Sequence, residues 1–154
     1  MSLVKVETLE ALKEFQGRDI AVTGWLEITQ DRIDKFAEAT EDRQWIHVDP
    51  ERARQESPYK ATIAHGFLTL SLLSPFMKEA IELGGVRMAI NYGLNRVRFP
   101  AAVRVDTRIR ARVRMQSTRD LPDAVEATYL ITIESEGSEK PCCVAEWLVR
   151  YYPV

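Results

Sequence analysis

The chain contains two histidines, and each sits in a polar, loop-like stretch beside a helix-forming one. His47 follows Asp42 in the segment from Phe36 to Pro50, and His65 heads an apolar run in the segment from Thr62 to Ser71. An imidazole with an ordinary pKa near 6.5 and a carboxylate near 4 can share one water and relay its protons. Five positions apart on an ideal helix, two side chains diverge by about 140°. Asp42 and His47 therefore converge only if the chain leaves the helix between them. The stretch from Asp42 to Pro50 has no clean periodicity and ends in Asp49-Pro50, so it reads as a loop that permits convergence. An Asp and a His at this spacing are common by chance and, taken alone, read as a surface pair with no role. His65 reads as a ring that hydrogen-bonds backbone rather than as a catalytic group. Gly66 is either a turn or close-packing glycine, or an opening for a ligand at a helix N-terminus, where free N–H groups receive negative charge.

Positioning these residues falls to a helical first half and a strand-rich second half. Leu9, Leu12 and Phe15 recur at helical spacing, which predicts a helix over Leu3 to Phe15 stopped by Gly17. Ile20 to Ile28, with Val22, Trp25 and Leu26, predicts a strand. Ile33, Phe36, Ala37 and Thr40 predict an amphipathic helix, with Thr29 as its N-cap. Asp49 as cap and Pro50 at the first position predict a short helix after the loop. The run Phe67 to Leu73 is apolar on nearly every side, so it predicts a buried helix; Ser74-Pro75 either kinks it or caps a second helix running to Leu83. After Gly84-Gly85 the period becomes two, and strands are predicted over Val86–Tyr92, Val97–Phe99, Val103–Met115, Ala124–Ser135 and Cys142–Tyr152. Turn signals at Asp120 to Asp123 and Glu136 to Ser138 separate the last of these. Pattern alone supports an α+β domain with an antiparallel sheet and a central helix, and residues 1–154 read as one such domain.

Three segments in order carry a resemblance. Asp42 and His47 after a helix ending in Ala39-Thr40, Ala64-His65-Gly66 opening an apolar helix, and Asn91-Tyr92-Gly93-Leu94-Asn95-Arg96-Val97-Arg98-Phe99-Pro100 resemble the MaoC-like, (R)-specific enoyl-CoA hydratases. Together they span about residues 20 to 115. The usual family wording is Thr-Gly-Asp-x-Asn-Pro-Ile-His; here Glu41 replaces the glycine and Gln44-Trp45 the Asn-Pro. Gln44-Trp45-Ile46-His47 is more similar to the branch related to nodulation protein N. The resemblance implies a hotdog fold, an antiparallel sheet wrapped around the central helix. It also implies Asp42 and His47 as the catalytic pair holding a water, with the formal base unassigned. The Gly66 N–H would be the oxyanion contact and Ser71 a weaker pocket-lining candidate. The reaction implied is addition of water to a trans-2-enoyl thioester, or its reverse, on coenzyme A or acyl carrier protein. Coenzyme A enters as part of the substrate; no cofactor or metal of the protein's own is implied. A homodimer is expected by analogy, because single hotdogs commonly join sheets edge to edge.

Alternatives within the fold are an acyl-CoA thioesterase and a non-catalytic acyl-CoA-binding module. Against the thioesterase, Phe67 to Leu73 offers no carboxylate. Arg108, Arg110, Arg112 and Arg114 alternate along one strand and read as a solvated face paired with acidic neighbours such as Glu126 and Glu134. Arg96 and Arg98 are candidates to reach a carrier's phosphates. A net charge of −2 argues against nucleic acid as the main partner. The stretch from Met1 to Glu7 becomes charged before an apolar core could form, and Ile63 to Met77 is too short and polar to span a bilayer. A cytoplasmic protein without membrane attachment is expected. Cys142 and Cys143, adjacent and with no other cysteine, read as two buried or half-buried thiols rather than a disulfide or zinc site.

Overall fold

The computed structural model describes residues 3–154; Met1 and Ser2, at the start of the expected domain, lie outside them. Long antiparallel strands dominate the second half. They are β6 (Thr107–Asp120), β7 (Val125–Ser135) and β8 (Cys143–Pro153), with β5 (Val86–Arg98) preceding them. In the sheet, β6, β7, β8 and β5 are neighbours in that order, so β5 is a free edge. Beyond β6 lie β2 (Asp19–Val22) and β3 (Leu26–Ile28), both paired antiparallel with it.

Alternation along the strands builds the core. Ile109, Ala111, Val113 and Met115 of β6 point inward with Ala127, Tyr129, Ile131 and Ile133 of β7 and Cys143 and Ala145 of β8. The opposite face carries charge, and the arginine stripe is paired as its spacing predicts. Arg110 and Arg112 both meet Glu134, Arg108 meets Glu136, and Arg114 meets Asp19. Glu126 takes Arg119 and Arg150. Both cysteines are buried free thiols, and burial pushes the Cys143 thiol up to about 12.

Against the inner face lie α5 (Gly66–Ser71) and α6 (Leu73–Ala80). Leu68, Leu72, Leu73, Phe76 and Met77 bury themselves in the sheet, which makes this the expected α+β arrangement of a sheet around a central helical segment. The helical segment is divided in two, the second-helix outcome that Ser74-Pro75 allows, and departs from the expected burial at Phe67. It breaks at Leu72, with Pro75 in the first turn of α6, where its missing N–H costs nothing. It also leaves Phe67 69 % exposed, edge-on to Phe99. The inner face is uncovered beneath β5, where a cleft of ≈ 350 Å³ is lined by Met77, Ile81, Ala89, Trp147 and Tyr151, among others.

Other expectations are corrected at element ends. Leu3 to Phe15 is not one helix: β1 (Val4–Val6) precedes α1 (Leu9–Leu12), which is capped by Thr8 and followed by a single 3₁₀ turn. Likewise the helix expected to reach Leu83 ends at Ala80, and Ile81–Leu83 forms β4, parallel to β1. Alternating β-branched residues at Val4 and Val6 favour this pairing. Gly84 admits it, since a Cβ there would sit 2.5 Å from the Glu7 carbonyl oxygen. The strand expected over Ile20 to Ile28 is split by Thr23 to Trp25. The two strands expected within Val86 to Phe99 are one, running through bulges near Asn91 and Leu94. The strand expected from Val103 starts at Thr107, after Asp106 adopts φ 65°.

Candidate active site

Several segments meet at the two histidines. Helix α2 (Gln30–Thr40) begins where the Thr29 hydroxyl accepts from the Arg32 N–H, as its sequence predicts. It ends at Glu41, which takes the left-handed conformation, φ 63° and ψ 13°. That turn carries Asp42 out of the helical path. One turn later α3 (Trp45–Val48) presents His47, so the expected loop contains a short helix. Asp49 then caps α4 (Pro50–Glu56) by accepting from the Arg52 N–H at 3.0 Å.

His47 is buried, 7 % exposed, and its Nδ1 lies 2.7 Å from the Ile63 carbonyl oxygen. A carbonyl only accepts, so Nδ1 holds the proton and Nε2 keeps its lone pair. Burial is the main influence on this imidazole and pushes its pKa below the ordinary value; the bond to Ile63 opposes that, His65 adds to it, and Asp42 opposes it. His65 is also buried and stacks on His47, with centroids 3.8 Å apart and ring planes 23° from parallel. Its Nε2 lies 2.9 Å from the Asp42 carbonyl oxygen.

A carboxylate oxygen of Asp42 and one ring nitrogen from each histidine lie within 4.8 Å of one another. That separation suits one water bridging the Asp42 carboxylate and an imidazole at two hydrogen-bond lengths. It suits a metal poorly. Stacked rings hold their in-plane lone pairs in nearly parallel planes, which do not meet at one ion.

Beside His47 opens a cleft of ≈ 260 Å³ lined by Tyr59, Ala64, Gly66, Thr69, Phe99 and Cys142, with others. Gly66 is the first residue of α5, so its N–H has no intrahelical acceptor. The Phe99 ring lies 3.3 Å from where a Cβ on Gly66 would stand, so the absent side chain makes room for that ring.

Asp42, His47 and Gly66 are thus gathered at one place. Ser71 is not: it is exposed, does not line this cleft, and donates to the Phe67 carbonyl oxygen at 2.7 Å. Arg96 and Arg98 are exposed and pair in register with Glu146 and Val144 of β8. They therefore share the sheet's outer face, opposite the cleft, and Arg98 donates to the Val97 carbonyl oxygen.

Gln30 is a supporting residue that sequence reasoning missed. Its amide donates to the His47 carbonyl oxygen and to Asp34, both at 2.8 Å, and accepts from the Thr62 hydroxyl. The signal was present. Gln30 precedes the buried Ile33 and Ala37 by three and seven positions, a polar side chain on an inward-facing stripe.

Comparison with known proteins bears on this geometry. The MaoC like domain model matches residues 13–135. The chain belongs to the MaoC-like dehydratase family. It is 49% identical over 146 residues to 3-hydroxyacyl-thioester dehydratase Z of Mycobacterium tuberculosis, covering 94% of this chain and 96% of that protein. It is 41% identical over 134 residues to nodulation protein N of Rhizobium leguminosarum bv. viciae, covering 86% and 83%. Among solved structures, the (R)-hydratase from A. caviae involved in PHA biosynthesis superposes with a TM-score of 0.69 at 25% identity, covering 84% of this chain and 91% of that one. The fold is the hotdog of the MaoC-like hydratases and dehydratases, and membership supports a hydro-lyase. Among the described residues, no helix is long and apolar enough to cross a membrane.

Proposed function

We propose that this chain is an (R)-specific enoyl-CoA hydratase, or a dehydratase in the reverse direction, acting through a water held between Asp42 and His47. The observation that carries the reading is a buried His47 with Nδ1 tied to Ile63 and its ring within reach of the Asp42 carboxylate. In the forward direction the water oxygen bonds to the β-carbon of a trans-2-enoyl thioester as the double bond's π electrons move toward the thioester carbonyl. The Asp42–His47 pair takes the water's proton and delivers a proton to the α-carbon, so H and OH are added with nothing left over. The Gly66 N–H receives the charge that develops on the thioester oxygen. Coenzyme A or an acyl carrier protein is the carrier, and residues 1–154 act as one MaoC-like domain in a cytoplasmic homodimer. Arg96 and Arg98 remain candidates for carrier phosphates only along the outer edge of the sheet, and Ser71 only through a rearrangement of its side chain.

A thioesterase reading finds less support. The carboxylate on the central helical segment is Glu79 of α6, and it accepts from the Gly24 N–H at 2.6 Å.

The test is hydration of crotonyl-CoA and of a longer trans-2-enoyl-CoA, followed by loss of enoyl absorbance. Wild type is expected to turn over, with Asp42→Asn and His47→Ala each losing about 10²- to 10⁴-fold in kcat. Folded wild type that binds acyl-CoA yet leaves the absorbance unchanged at every chain length would overturn the reading.

A further inference from the structure

We propose that His65 is a positioning residue for the hydration reaction, fixing the Asp42 peptide and the plane of the His47 ring together; this rests on the hydratase reading above. Four contacts converge on its side chain and backbone. The Nε2–H donates to the Asp42 carbonyl oxygen at 2.9 Å. The ring lies flat on His47 at 3.8 Å and is backed by Phe36 at 4.9 Å. The His65 carbonyl oxygen accepts from the Thr69 N–H at 3.2 Å, closing the first turn of the helix that Gly66 opens. One residue therefore joins the loop bearing the carboxylate, the His47 imidazole and the helix bearing the oxyanion donor.

Asp42 needs such a tie. It is exposed and follows the left-handed Glu41. Its other hydrogen bonds are long: 3.5 Å from its own N–H to the Thr40 hydroxyl, and 3.4 Å from the Gln44 N–H to its carboxylate. The bond from His65 is the short one. It is also sheltered, since His65 is only 3 % exposed.

The Nε2–H is committed to the Asp42 peptide carbonyl, which makes the role of this ring positioning. With the proton on Nε2, Nδ1 keeps its lone pair and has no protein partner among the described residues. A glutamine could supply the same N–H, and a leucine could fill the volume without it. That difference makes the idea testable.

The experiment compares His65→Gln and His65→Leu with wild type, using full-length protein and crotonyl-CoA. Leucine is expected to lower kcat about 10²-fold with KM changed by less than about threefold, as misplacement of a reacting group does. Glutamine is expected to recover kcat to within about fivefold of wild type, because it restores the donor to Asp42. Equal impairment of both variants, or wild-type kcat in the leucine variant, would overturn the proposal. A second readout needs no turnover: the ¹H–¹⁵N heteronuclear NOE of the Arg43 amide, which shares the Asp42 peptide. It should fall in the leucine variant and hold in the glutamine variant; an unchanged NOE in the leucine variant also overturns the proposal. Wild type without turnover counts against the hydratase reading alone, and the Arg43 amide then decides the role of His65.

Discussion

His47 is placed so that its environment, and not its residue type alone, sets its protonation state. Burial disfavours the imidazolium, while the Ile63 carbonyl fixes the proton on Nδ1 and leaves Nε2 open. The ring is therefore less protonated than a solvent imidazole at the same pH. On this basis the acid limb of kcat/KM for a trans-2-enoyl-CoA is expected below pH 6.5, the ordinary imidazole value. Stability carries the same sign. With the folded pKa lowered, the unfolded chain binds the proton first as pH falls through 6.5, so His47 makes the fold progressively less stable below that value until its folded pKa is passed. A kcat/KM profile titrating above 6.5 would mean that the Asp42 carboxylate outweighs burial, contrary to the order of influences at this ring. The neighbouring Glu41 shows why the family wording places glycine before the aspartate: a left-handed residue must sit there, and glutamate holds that conformation less readily.

At the scale of elements, the joint between β2 and β3 shows how one side chain sustains a broken strand. The Thr23 N–H donates to the Ala111 carbonyl oxygen, and the Thr23 hydroxyl accepts from the Ala111 N–H, both at 2.9 Å. The hydroxyl stands in for the missing backbone acceptor and lets the chain turn at Gly24 without orphaning a buried donor. Thr23→Val keeps the shape and removes the acceptor, so it should destabilise the fold by about 1–3 kcal/mol. Urea unfolding should give a lower midpoint with an unchanged slope; a midpoint equal to wild type would mean another acceptor reaches the Ala111 N–H.

The sequence carried one signal for this joint, Gly24 inside the strand-like run from Ile20 to Ile28, but the apolar and β-branched residues on both sides of it read as one strand. The ladder itself was readable. The alternation of Arg108 to Arg114 with Ile109 to Met115 marked both the core face and the charged face, since period two admits only one assignment of sides. Gln30 was overlooked because its partners, His47 and Thr62, come from distant segments. Asp42 and His47 were singled out in the sequence by the three family segments in order. Their separation in space depends on the left-handed turn at Glu41, for which periodicity has no signal.

For the whole molecule, the unsatisfied feature is β5. It is a thirteen-residue edge strand with one side unpaired. Met88, Ile90, Tyr92, Leu94 and Phe99 along or just beyond it are each 38 % exposed or more. A long edge of this kind with large apolar side chains invites pairing, and natural sheets usually blunt such edges with charge, proline or a covering element. Here bulges interrupt the strand but, among the described residues, no element covers it, and the cleft beneath it stays open to one side. A second copy meeting the same edge across a twofold axis would supply the missing ladder partners and bury the apolar row on both chains at once. A homodimer is therefore expected to form through β5. Light scattering coupled to size exclusion should give twice the chain mass for wild type. Replacing both Ile90 and Leu94 by lysine, one on each face of the strand, should give a single-chain mass with the circular dichroism of the fold retained, since charge on an unpaired edge opposes strand addition. A double variant that stays dimeric would place the interface elsewhere, and a monomeric wild type would mean that the exposed apolar edge is tolerated without a partner chain.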